Sequence, residues 1–180
     1  DETHFQRLRA RVQAAGQRGV YVTIMLFEGW CRRIQPSSWS GHPMNVANNI
    51  NGINGDPNGD GRGLEVQMLQ VDAITELHKA YIRRVVDAVN DLDNVLYEIS
   101  NESLDHPDIL NWQTTMVNYV NAYQANKPQQ HPVGMTNLIA FNTETKTAAN
   151  NALLASPANW VSPGAVIYGP GDFYSVDPPA

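Results

Sequence analysis

The feature that most constrains the fold is a change of apolar period between residues 72 and 102. From Asp72 to Leu92, apolar side chains recur at helical spacing as Ile74, Leu77, Tyr81, Val85, Ala88, Val89 and Leu92, with Asp72 placed to cap the helix. Directly after it, Val95, Leu96, Tyr97 and Ile99 form a run too short for a helix, and this run stops at Ser100-Asn101-Glu102. A helix that delivers the chain into a short buried strand is the repeating unit of a parallel sheet. Ligands of such sheets bind at the carboxyl ends of the strands, so Glu102 is expected to face a site unless it caps the next helix.

The same rhythm runs through the rest of the chain. Phe5, Leu8, Val12 and Ala15 make one apolar stripe on a helix that Gly16 or Gly19 ends, and Val20 to Phe27 reads as a fully covered strand. Beyond Glu102, Asp105-His-Pro107 supplies a cap and an early proline for a helix with the stripe Ile109, Trp112, Met116, Val120 and Tyr123. A weaker strand at 131–137, a short helix at 147–155 and a strand at 159–162 complete the pattern. His78 and His106 fall on or beside helices without a partner at ligand spacing, and read as surface or capping residues.

Two of these strand ends resemble a known family. Tyr97-Glu98-Ile99-Ser100 ending in Asn101-Glu102 resembles the fourth barrel strand of the clan A glycoside hydrolases, (β/α)8 enzymes that include the cellulase-like family 5. Gly19-Val-Tyr-Val-Thr-Ile-Met-Leu-Phe-Glu-Gly-Trp30 resembles the preceding strand of its cellulase-like members. The resemblance covers most of the chain in order, although only Asn101-Glu102 carries the catalytic pattern. It implies one domain over residues 1–180, built of parallel βα units of a TIM-type (β/α)8 barrel and amounting to about half of it. A whole barrel usually takes about 250 residues, and this chain has 180.

The resemblance also implies roles. Glu102 would be the acid/base of a retaining glycosidase acting on a polysaccharide or oligosaccharide, and Asn101 would hold the sugar hydroxyl beside the reacting carbon. Its alternative is a cap on the Pro107 helix. The clan carries its nucleophile, a second carboxylate, at the end of the seventh strand. The visible strands correspond to the third through sixth, so the nucleophile is missing from this chain. A retaining mechanism places the two carboxyl groups about 5 to 5.5 Å apart, so turnover requires completion by missing strands or a partner. Four parallel strands leave two open edges, and a second copy that closes the barrel would cover both. The partner's Glu102 would then lie near the nucleophile's place but not at it, which predicts weak or no activity even in that homodimer. A secreted or periplasmic setting suits such an enzyme.

Glu28 and Trp30 offer the carboxylate and the aromatic plate that sugars need; a cap or salt bridge for Glu28 and core packing for Trp30 are the plain alternatives. From Cys31 to Gly63 the chain is dense in Gly, Asn, Pro and Ser, and reads as a long loop. Over the catalytic face it would bring Trp39, His42, Asn45, Asn49 and Asn51 to a sugar cleft. Asn137 and Trp160, near strand ends, are further substrate candidates, with core packing the alternative for Trp160. Within the loop, Asp56, Asn58 and Asp60 followed by Gly61 match the first half of a calcium loop. The second half does not match, because its twelfth position is Gln67 and Glu65 arrives two residues early.

Charge and composition narrow the classes. The net charge of -6 and scattered basic residues give no track for a phosphate backbone, so nucleic acid is not an expected partner. No run approaches the roughly 20 apolar residues of a membrane span, and no signal peptide is legible because Asp1-Glu-Thr-His opens inside a polar helix pattern. The single cysteine, Cys31, excludes an internal disulfide. No cofactor is called for. A non-catalytic carbohydrate-binding or truncated scaffold protein is the main alternative to the hydrolase, and its sugar binding would survive Glu102→Gln. An esterase fits less well, since there is no Gly-x-Ser-x-Gly elbow.

Overall fold

The computed structural model describes residues 1–29, 36–104, 106–136 and 143–162. Within them the chain is α/β, with a four-stranded parallel sheet in the sequential order β1 to β4. The strands are β1 Val22–Glu28, β2 Val95–Asn101, β3 Val133–Thr136 and β4 Trp160–Ser162. The helices are α1 Glu2–Gly16, α2 Asp72–Val89, α3 Pro107–Gln124 and α4 Thr143–Leu154.

Local chemistry sets the helix ends. Asp1 caps α1 by accepting from the Thr3 N–H at 3.0 Å. His106 caps α3 through Nδ1, which accepts from the Asp108 N–H at 3.2 Å, with Pro107 in the first turn where its missing N–H costs nothing. Asp72 is not the cap of α2. Val71 holds that place in extended backbone, and Asp72 sits in the first turn, where its charge still favours the helix dipole. The helix of the 147–155 pattern begins earlier, at Thr143. The long loop is not featureless either, since Pro36–Gly41 and Val46–Asn48 are single 3-10 turns and a third, Leu64–Gln67, follows it.

One core lies between the sheet and the helices. Ile24 and Leu26 of β1, Val95, Tyr97 and Ile99 of β2, and Val133 and Met135 of β3 pack on Val12 of α1, on Ile82, Val85, Val86 and Val89 of α2, and on Trp112, Met116, Val117 and Val120 of α3. Sequential strand order with right-handed crossovers puts every connecting helix on this same face. The opposite face carries the alternate residues: Thr23, Met25 at 44% exposure, Glu98, Ser100 and Gly134.

Gly134 is required by a neighbour. It pairs with Trp160, and an added Cβ would stand 1.9 Å from the indole ring. Gly134→Ala is therefore expected to cost roughly 1–3 kcal/mol through overpacking, measured by urea unfolding. In a Trp160→Ala background the same substitution should cost much less, because the clash has gone.

Candidate functional site

Equal lengths and a direct register bring the ends of β1 and β2 level. Each strand has 7 residues, and Glu28 pairs with Asn101 at their carboxyl ends. The Gly29 N–H donates to the Asn101 carbonyl at 2.9 Å. Gly29 also lies so close to Ser103 that a Cβ would come within 2.5 Å of its Cα. Glu28 is exposed, and Asn101 and Glu102 are half-buried.

Glu102 stands out in its backbone. Its φ of 46° makes it the one non-glycine residue with positive φ among the described residues. Such a conformation costs of order 1–3 kcal/mol and tends to persist where a site uses it. The Glu102 N–H reaches the Thr136 hydroxyl at 3.4 Å, and that hydroxyl donates to the Ser100 carbonyl at 2.7 Å. The turn after β2 is thus tied to the end of β3.

Near Glu102, within β2, lies Glu98. It is 8% exposed, and one carboxylate oxygen, Oε1, has no hydrogen-bond partner among the described residues. Burial holds its carboxyl above the ordinary range. The Thr136 hydroxyl bond opposes this, and repulsion from Glu102 adds to it. Gly134 sits opposite Glu98 in the register, and Trp160 opposite Gly134. The buried Trp160 Nε1 also lacks a partner among the described residues. The Glu98 face thus carries a carboxylate, a hydroxyl and an indole, with Glu102 near enough to repel it.

Ser100 and Ser103 belong to a buried network. Their hydroxyls are 2.7 Å apart; Gln67 Nε2 donates to Ser100 Oγ at 2.8 Å, and Ser103 Oγ donates to Gln67 Oε1 at 3.0 Å. Gln67 also reaches the Glu28 carbonyl at 3.3 Å. This network clamps the far end of the long loop onto the strand ends.

The sugar candidates of the loop separate. Trp39 is buried at 7% exposure, packed with Val66 and Ile74, so it holds the loop together and presents no open plate. Its ring stacks on His42 at 5.2 Å. Asn45, Asn48 and Asn49 spend their amides on the loop's own backbone, bonding Trp39 O, Ser40 O and Ile53 O among others. Asn51 is exposed in a turn. Glu28 and His42 do meet, with Phe27, Gln67, His78 and Tyr81, around a mainly apolar cleft of about 630 Å³ beside β1. This cleft does not include Glu98 or Glu102. His78 is not a surface residue: it is buried against Phe27, and its Nδ1 accepts from Trp112 Nε1 at 3.3 Å. Trp30 and Asn137 lie outside the described residues.

Glu98, Gln67 and Thr136 were not singled out by sequence reasoning. The signal for Glu98 was present, as one acidic residue inside an apolar run and in phase with Glu102 at period two. Comparison of the chain with protein families, with characterised proteins and with solved structures returned no match.

The raised proton affinity of Glu98 has a sign. The folded state holds this proton more tightly than the unfolded chain, so raising the pH above the ordinary Glu value of about 4.3 costs stability as Glu98 ionises. Glu98→Gln should therefore gain on the wild type as pH rises from about 4 to 7, and the gain should vanish below about 4. Denaturant midpoints across that range check it, and a pH-independent difference would mean that Glu98 titrates normally.

Proposed function

We propose that this chain is the central part of a barrel-type retaining glycoside hydrolase, with Glu102 as its acid/base and Asn101 holding the sugar beside it. The observation that supports this best is the place of Glu102: directly after the carboxyl end of a central parallel strand, in left-handed backbone. Sequential strand order with all helices on one side is also what a barrel wall requires, whereas a doubly wound sheet reverses its order midway.

In this reading Glu102 protonates the leaving glycosidic oxygen while a second carboxylate attacks the sugar carbon, and then takes a proton from the water that releases the sugar. Glu98 is a poor nucleophile, because a nucleophile must be ionised and burial favours its neutral form. The second carboxylate therefore comes from further strands. Glu28, exposed on the rim beside Asn101, is placed to accept sugar hydroxyls.

The test compares leaving groups. In the assembly that carries the nucleophile, Glu102→Gln should reduce kcat/KM for alkyl glycosides by about 10²–10⁴-fold and much less for dinitrophenyl glycosides, which need no acid. Equal losses would count against an acid/base role, and sugar binding with no turnover in any assembly would favour the carbohydrate-binding alternative.

The outer edges of β1 and β4 have no pairing strand among the described residues. For the 180-residue chain by itself, without the further strands, we propose that a second copy supplies it, β4 of one chain pairing with β1 of the other around a two-fold axis. Light scattering should then give twice the 19.9 kDa chain mass. A stable monomer with cooperative unfolding would overturn the dimer and leave the role of Glu102 untouched.

A further inference from the structure

We propose that residues 56–65 form a calcium site closed by Glu65, which fastens the long loop to the strand ends. The inference does not depend on the hydrolase reading. Asp56, Asn58 and Asp60 put side-chain oxygens at alternate positions, the spacing with which a tight loop surrounds a cation. The backbone is already wound in that way. The Gly61 N–H donates to Asp56 Oδ2 at 2.9 Å, the Asp60 N–H to Asn58 Oδ1 at 2.8 Å, and Gly59, Gly61 and Gly63 all have positive φ.

What points to a ligand is a buried carboxylate with an oxygen to spare. Glu65 is only 6% exposed; Oε1 accepts from the Asn58 amide, whereas Oε2 has no hydrogen-bond partner among the described residues. Asp56 Oδ1 is buried and unpartnered in the same way. No Lys or Arg pairs with Asp56, Asp60 or Glu65 among the described residues. Carboxylate oxygens taken out of water need a donor or a cation, and this loop offers them no donor.

The donor set selects the ion. All candidate ligands are hard oxygens, which suits calcium, and an irregular loop with amide and carbonyl oxygens tolerates its flexible six-to-eight coordination better than the strict octahedron of magnesium. No three His, Cys, Asp or Glu side chains are gathered at one point among the described residues. The site is therefore the buried pair Asp56 and Glu65 with the Asn58 amide oxygen and backbone carbonyls, and Asp60 joins by turning its exposed carboxylate inward.

Glu65 takes the closing place that the twelve-residue pattern gives to Gln67. The reason is local: both lie on the turn Leu64–Gln67, and Gln67 is already committed to Ser100, Ser103 and the Glu28 carbonyl. One short turn thus carries the ion's last ligand and the clamp onto the strand ends. Calcium would stiffen the loop and the rim together.

Trp39 provides a direct probe, since its ring lies against Gly63, where an added Cβ would stand 2.2 Å away. Terbium added to the chelator-treated chain should emit on tryptophan excitation, and calcium should displace it at one ion per chain. Calcium should raise the unfolding midpoint by several degrees at saturation. Glu65→Gln and Asp56→Asn should each weaken binding in calorimetry at least ~10-fold, and Asp60→Asn, at an exposed position, serves if those variants fail to fold. Absence of both heat and terbium emission with the wild type would overturn the site, as would binding that survives all three substitutions. Magnesium binding as tightly as calcium would overturn the choice of ion.

Discussion

The parallel pairing of β1 with β2 is the constraint on which the rest depends. Register runs from Val22 opposite Val95 to Glu28 opposite Asn101, and Ile24 and Leu26 share the helix-packed phase with Val95, Tyr97 and Ile99, while Phe27 falls opposite Ser100. A slip of one residue would turn Glu98 and Ser100 into the helix-covered core and expel Tyr97 and Ile99. The burial of Tyr97 and Ile99 under α2 and α3 therefore decides which face carries the carboxylates and how level the rim is. Helix packing on one side sets the chemistry of the other.

The loop between β1 and α2 is ordered by a different logic. It has a small core of its own, Trp39, Val66 and Ile74 with Met44, Ile53 and Val71 around them, and its asparagines do for its backbone what a ladder does for a strand. Polar side chains there are structural because a long irregular segment must satisfy its buried N–H and C=O groups somehow. Among the described residues this network crosses to the sheet at Gln67, through groups buried on both sides. A side-chain amide that both donates and accepts suits that crossing.

This division explains what could be read from sequence. The βα rhythm was legible because burial on one side of a helix leaves a period and a buried strand leaves a short apolar run, and the boundaries of β2, β3 and β4 fell within a few residues of the expected ones. The end of β2 at Asn101 was legible too, because an apolar run stops there. The fate of Trp39 was not, because aromatic residues in a polar loop read the same whether they serve a ligand or a local core. Asp72 was read as a cap from residue type alone, whereas the backbone begins the helix one residue earlier. Glu98 went unmarked because its meaning lies in its neighbours across the sheet, Thr136 and Trp160, which a single strand does not reveal.

Those neighbours also fix the direction of the hydrogen bonds. The Thr136 hydroxyl has one proton and two acceptors within reach, the Ser100 carbonyl at 2.7 Å and the Glu98 carboxyl. Its bond to the Glu98 carboxyl steadies the ionised form, and so works against the burial and the repulsion from Glu102 that favour the neutral one. The raised proton affinity of Glu98 thus reflects its depth in the sheet outweighing what this hydroxyl donates.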